Sequence, residues 1–165
     1  MNKIDVGFKN IKHIAHIADV HIRNLRRHKE YKQVFRKLYK DLKDNLPENS
    51  LIYLAGDIAH AKTEMSPELI EMMSDLFTKL SNIAPTILIA GNHDCNLNNK
   101  SRLDALSPIV DSLNLDNFYY LKDNGTYEIA DCVFNVMSVF DQPEDYILSK
   151  NIKTEKTTLA LYHGS

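Results

Sequence analysis

The sequence predicts an α/β domain built on a parallel sheet, and three observations carry that expectation. Short, nearly continuous apolar runs alternate with amphipathic helical stretches, each run stops at a small polar cluster, and proline or glycine punctuates the joins. The chain of 165 residues is 44% hydrophobic, which suits one domain with its own core. No apolar stretch approaches the roughly 18 residues that cross a bilayer, and residues 1–9 are not followed by a signal-peptide pattern. A cytoplasmic protein with no membrane partner is expected.

Taken in order, residues 11–18 read as a buried first strand that ends at Asp19. Residues 26–46 place Tyr31, Val34, Phe35, Leu38 and Leu42 at helical spacing among lysines and arginines, predicting a helix packed on the sheet. The residues Pro47-Glu48-Asn49-Ser50 then turn the chain. The run 51–55 is almost wholly apolar, as in a central parallel strand covered on both faces. A second helix should begin with Ser66 as cap, Pro67 in the first turn and Glu68 near the positive helix end, burying Leu69, Ile70, Met73, Leu76, Phe77 and Leu80. Residues 86–90 form a third apolar strand. A short helix should follow from Ser101, with Asp104 completing a capping box and Pro108 ending or distorting it.

Further on, residues 118–121, 126–130 and 132–139 read as strands, with Asp123-Asn124-Gly125 as a turn between the first two. Residues 141–156 are polar and predict a loop or brief helix. Residues 157–162 form a last apolar strand, with His163-Gly164 at its end.

Three clusters follow three of these strands: Asp19-Val20-His21, Gly56-Asp57-Ile58-Ala59-His60 and Gly91-Asn92-His93-Asp94. Ligands of open parallel sheets gather beyond the carboxyl ends of the strands, so the three clusters should meet. A two-metal phosphoesterase holds its ions about 3.5 to 4 Å apart, with one ligand shared between them. Asp57, on the central loop, is the candidate bridge through its two oxygens. Asp19 and His21 would hold one ion, while Asn92 and His163 would serve the other. An oxygen-rich set of this kind suits manganese, iron or a similar ion better than a structural zinc site. His93 should face the phosphate and its leaving oxygen, with Asp94 or another local acceptor orienting the ring. His60 would stabilise the same phosphate or place His93. His13 and His16 lie within the first strand and read as packed residues.

The formal net charge of −2 conceals an asymmetry. Residues 1–45 carry twelve Lys and Arg against five Asp and Glu, and residues 46–165 carry eight against seventeen. Much of the positive charge lies between Arg23 and Lys43, either as a field for a polyanionic substrate or as the solvated face of a helix. The two cysteines, Cys95 and Cys132, are too few and too isolated for a disulfide framework or a CxxC site.

In these motifs the sequence resembles the calcineurin-like metallophosphoesterases. Asp19-His21, Gly56-Asp57, Gly91-Asn92-His93-Asp94 and His163 follow the family's first four motifs in order. Ala18-Asp19-Val20-His21, Glu30-Tyr31 and His60 resemble in particular the SbcD-type double-strand-break repair nucleases, including the recombination endonuclease subunits of tailed phages. The resemblance implies a four-layer α/β/β/α sandwich, two divalent ions with manganese preferred, and hydrolysis of DNA phosphodiesters as exonuclease and single-strand endonuclease. It implies Asp19, His21, Asp57, Asn92 and His163 as metal ligands, with His93 and His60 as the catalytic pair. It further implies a homodimer, and an SbcC-type ATPase partner bound through a segment following the nuclease domain. The family's closing Gly-His-x-His does not occur among the 165 residues. Residues 1–165 are therefore expected to be the N-terminal part of a nuclease domain, a sandwich incomplete at its C-terminus and weak or inactive as an isolated fragment. The competing expectations are a phosphatase or cyclic phosphodiesterase acting on a small substrate, and a non-catalytic scaffold or DNA-binding module that keeps the fold.

Overall fold

A computed structural model describes residues 1–99 and 102–164. Among the described residues the chain forms two four-stranded sheets. Strands β2 (His13–Ile17), β3 (Ser50–Ala55), β4 (Thr86–Ile89) and β5 (Phe118–Tyr120) lie side by side in that order, all parallel. The second sheet has the order β1 (Asn2–Ile4), β6 (Gly125–Ile129), β7 (Cys132–Met137) and β8 (Thr157–Tyr162), with only the β6–β7 pair antiparallel. Helices α1 (His28–Asn45), α2 (Pro67–Ser81) and α3 (Ser107–Leu113) complete the regular structure, with short 3₁₀ turns at Pro143–Asp145 and Ser149–Asn151.

Side-chain alternation along β3 shows why the layers stack as they do. Ile52 and Leu54 point into a core shared with Phe35, Tyr39 and Leu42 of α1 and with Met73, Leu76 and Phe77 of α2. Leu51, Tyr53 and Ala55 point the other way, into a core shared with Tyr127, Ile129, Phe134, Val136 and Leu161 of the second sheet. Every residue of β3 is buried, as expected of a strand covered on both faces. The layers are thus helices, first sheet and second sheet. On the outward face of β7, Asn135 is buried and its Nδ2 donates to the Ile147 carbonyl at 2.8 Å, so the segment after β7 covers that face.

Three local expectations are corrected, and one strand is added. Strand β2 is not buried; it lies at the edge of its sheet with His13 and His16 exposed, His16 stacking on Tyr53 at 4.9 Å between centroids. Strand β1 has no strong local signal, because it is three residues long and gains its pairing from β6, more than 120 positions away. Residues 123–125 do not close a hairpin: β5 and β6 belong to different sheets, and the turn carries the chain from one to the other. The hairpin lies one step later, between β6 and β7, where Ala130 takes a left-handed φ of 53°. Ile70 of α2 is 40% exposed, while Met72 is buried in its place.

Pro108 opens α3 instead of ending a helix. Ser101 lies outside the described residues, and Asp104 itself does the capping. Its Oδ1 accepts from the Leu106 and Ser107 amides at 2.8 and 2.6 Å, and its Oδ2 accepts from the Ser107 hydroxyl at 2.6 Å. The ammonium of Lys122 lies 2.8 Å from Oδ2. Burial alone would raise this carboxyl, but Lys122 and the Ser107 and Leu106 donors outweigh it and hold the group below its usual range.

A depressed folded-state pKa stabilises the fold above the unfolded value, and that contribution disappears as pH falls through the folded value. Asp104→Asn should therefore lower stability by roughly 1–3 kcal/mol at neutral pH. In urea melts the gap to the parent protein should close as pH drops below the ordinary carboxyl pKa of 3.8.

Candidate metal centre

The loops after β2, β3 and β4 and the end of β8 converge at one rim of the two sheets. The first two loops are knitted together by backbone bonds: His21 N–H donates to the Asp57 carbonyl at 2.9 Å, Ile22 N–H to Ile58 at 2.8 Å, and His60 N–H to Ile22 at 3.0 Å. Asp19, His21 and Asp57 all adopt left-handed φ angles, of 55°, 47° and 53°. Such a conformation is costly for residues with a side chain, and a run of them on facing loops is characteristic of a functional site.

Two glycines allow the loops to close. A Cβ on Gly91 would fall 2.1 Å from Asp57 Oδ1 and 2.4 Å from the Asp57 backbone nitrogen. One on Gly56 would fall 2.6 Å from the Gly91 nitrogen and 2.8 Å from His163 Nδ1. Backbone therefore packs directly on backbone, and no larger residue fits at either position.

Asp57, only 3% exposed, sits at the centre. Its Oδ1 accepts the His93 N–H at 2.8 Å. Its Oδ2 lies 3.3 Å from His21 Nε2 and 3.4 Å from His163 Nε2. The carboxylate thus presents a single oxygen to both imidazoles, not one oxygen to each side as the two-oxygen bridge expected. Asp19 Oδ1 approaches His21 Nε2 at 3.7 Å, and Asn92 Oδ1 approaches His163 Nε2 at 3.1 Å. The five residues expected as ligands are therefore brought together, with donor atoms of Asp19, Asp57 and His163 all within 4.8 Å of one another.

The donor chemistry of His163 fits a cation. Its Nδ1–H donates to the Ala55 carbonyl at 2.7 Å, which leaves Nε2 facing the oxygens of Asn92 and Asp57. Neither oxygen carries a proton, so the three atoms cohere when a proton on Nε2 or a metal ion stands among them. A histidine whose other nitrogen donates to a backbone carbonyl is also the usual arrangement at a bound metal.

Three imidazoles form a second group. Donor atoms of His21, His60 and His93 lie within 4.8 Å of one another, with the His21 and His93 rings edge-to-face at 4.8 Å. His93 Nδ1–H donates to the His60 carbonyl at 2.6 Å. Hence His60 orients His93 through its backbone, and Asp94 does not. Asp94 is fully buried and instead braces the turn, accepting from Ala59 N–H and Gly91 N–H, each at 2.9 Å. Burial pushes its carboxyl up to about 7, against the lowering pull of those two amides. Desolvation, then the charges of Arg23, His21 and His93, hold the His60 imidazole below its ordinary value.

Several residues contribute through contacts that the sequence does not specify. Tyr31 donates its hydroxyl to the His21 carbonyl at 2.6 Å, tying the first turn of α1 to the ligand loop. Lys62 donates to the Asn92 carbonyl at 3.4 Å. Only the position of Tyr31 at the helix start, facing back along the chain, hints at such a contact. Cys95 is buried with its thiol toward the Gly91 carbonyl, and burial raises that thiol to about 11, so it is a packing residue. His28, within the basic segment, donates from Nε2 to the Arg23 carbonyl at 2.8 Å.

Gly91→Ala should force the Asp57 loop away from the β4 loop. The expected cost is about 1–3 kcal/mol in urea denaturation, as for other overpacked sites. A crystal structure of the variant should show His163 Nε2 and Asn92 Oδ1 moved apart, beyond hydrogen-bonding range.

A protein of Acanthamoeba polyphaga mimivirus is 50% identical over 165 residues, an alignment that covers 93% of this chain and 12% of the viral protein. The chain thus spans about an eighth of the length of that relative. Residues 12–164 match the calcineurin-like phosphoesterase family. That span holds both sheets except β1, together with every residue of the centre, and the chain belongs to the calcineurin-like phosphoesterases.

Proposed function

We propose that Asp19, His21, Asp57, Asn92 and His163 hold two divalent ions, manganese in preference, and that the centre hydrolyses phosphodiesters of DNA. Family membership implies metal-dependent phosphoester hydrolysis. The observation that carries the metal reading is the pair of imidazole nitrogens on one buried carboxylate oxygen, Asp57 Oδ2, at 3.3 and 3.4 Å. Divalent ions, when bound, supply Lewis acidity at the phosphoryl oxygens and activate a water.

The chain's own groups supply the rest. His21 Nε2 lies near Asp19 and Asp57, and His163 Nε2 near Asn92 and Asp57, so these donors would hold the ions as two sets with Asp57 in common. His93 keeps its Nδ1–H on the His60 carbonyl, so its Nε2 is the atom that serves the leaving oxygen, donating to it when the ring is protonated. Tyr31 and the Asp94 carboxylate keep the loops in place while charge develops.

DNA as the substrate is supported by the basic segment. Arg23, Arg26 and Arg27 are exposed on the stretch between His21 and α1, and Lys29, Lys32 and Arg36 continue the charge along the helix. Because Tyr31 anchors α1 to the ligand loop, this charge begins at the rim of the centre. A dimeric form and an SbcC-type ATPase partner belong to the same reading and rest on the motif resemblance.

Titration calorimetry with manganese should show two sites in the parent chain, and Asp57→Asn should weaken both by more than about tenfold, since the two sets share that residue. Single-stranded DNA should be cut in manganese once a segment carrying the closing Gly-His-x-His is supplied, with binding that weakens as salt rises. Unchanged metal uptake in Asp57→Asn would remove the basis for the centre. Hydrolysis of a phosphomonoester or cyclic nucleotide with DNA left intact would assign the centre to a small substrate.

A further inference from the structure

A cleft of about 300 Å³ opens directly beside the second set of donors, and its lining includes Asn92, Leu97, Gln142, Tyr146, Tyr162 and His163. That volume is at the lower end of small-molecule pockets, roughly 300–1,000 Å³. Two of its walls, Asn92 and His163, also belong to the metal centre, so whatever fills the cleft lies next to the reacting phosphate. Among the described residues no lysine or arginine lines it, whereas Asp141 does. An anionic phosphate is disfavoured there, and the occupant must be a neutral part of the substrate.

The side chains that remain are suited to a flat aromatic ring. Tyr162 stands on the outward face of β8, one residue before His163, and is 56% exposed. Tyr146 approaches it edge-to-face at 6.2 Å between centroids, and its hydroxyl donates to the Ser138 carbonyl at 3.2 Å, which fixes that ring. Leu97, 42% exposed, adds apolar surface from the loop after β4. Exposed aromatic and apolar side chains cost solubility, and here they are gathered at one edge of the centre instead of being scattered. Gln142 adds a carboxamide that can pair with the polar edge of a base.

We infer that this cleft is a nucleobase subsite: the base of a nucleotide adjoining the scissile phosphate stacks on Tyr162 while the phosphate lies at Asn92 and His163. The inference rests on the phosphodiesterase reading of the centre. It adds that the substrate is held at two places of opposite character, its charged backbone by the arginine-rich segment after His21 and its base by the cleft beside β8. Stacking on one aromatic residue tolerates any base, so the subsite favours nucleotides over other phosphoesters without imposing a sequence.

The test compares thymidine 5′-monophosphate with 2-deoxyribose 5-phosphate, which lacks only the base, by calorimetric titration of the whole chain with and without manganese. The nucleotide should bind at least about tenfold more tightly, in line with the contribution of a single stacked base. Tyr162→Ala should abolish that advantage and Tyr162→Phe should keep it. Leu97→Ala, elsewhere in the cleft lining, should reduce it in a protein whose β8 is untouched, and circular dichroism melts establish that each variant folds. Equal binding of the two probes, no binding of the nucleotide, or an advantage that survives in Tyr162→Ala overturns the subsite. Hydrolysis of bis(p-nitrophenyl) phosphate in manganese, with a segment carrying the closing Gly-His-x-His supplied, separates this failure from failure of the centre. If that hydrolysis is present without a base advantage, only the subsite falls; if it is absent while the base advantage stands, the reading of the centre falls.

Discussion

One buried carboxylate sets the terms for everything around it. Asp57 is taken from water at the point where three loops meet, and only one of its oxygens is satisfied by a backbone donor. The other is left to two imidazoles. Placing an ionised group there is costly unless positive charge accompanies it. The packing is equally demanding: Gly91 must lie so close to Asp57, and Gly56 so close to Gly91, that a single added carbon would overlap backbone atoms. The Gly-Asp and Gly-Asn-His-Asp motifs are therefore two halves of one contact, and the glycines matter as much as the polar residues.

The architecture delivers the remaining groups to that contact. Parallel strands β2, β3 and β4 are neighbours, so their C-terminal loops necessarily emerge together. His163 arrives from the other sheet, and its hydrogen bond to the Ala55 carbonyl joins the end of β8 to the end of β3. Between the sheets, the second core of Leu51, Tyr53, Ile87, Phe134 and Leu161 holds the two layers in register. The bond to Ala55 thus depends on a hydrophobic interface some distance from the polar rim. This division resembles many sites in α/β proteins, where a rigid packed scaffold carries chemically varied loops.

Legibility in the sequence varied with how local the signal was. The start of α2 could be read from Ser66-Pro67-Glu68, because capping depends on four consecutive residues, and Ser66 does accept the Leu69 N–H at 3.3 Å. Strand β3 was visible as an unbroken apolar run. By contrast, Pro108 looks the same whether it begins or ends a helix, and what decides between them is the Asp104 carboxylate, locked by Lys122 from the far side of α3. Asp123-Asn124-Gly125 marks a change of direction before β6, yet its local chemistry does not say whether the strands on either side pair with each other. Asp94 illustrates the same limit within the site: a carboxylate next to His93 could face the ring or the backbone, and the amides of Ala59 and Gly91 claim it.

Residue order alone thus settles which groups are present at the ends of which strands, because hydrophobic periodicity and capping act over a few neighbours along the chain. It yields the α/β class, the three loop clusters and the terminal histidine. It leaves open which oxygen of Asp57 faces the donors, which carbonyl holds His93, and that a tyrosine from α1 and two tyrosines near β8 belong to the same rim. Those features arise from atoms far apart in the chain being forced to share space, and only the packing of two sheets and three helices sets their distances.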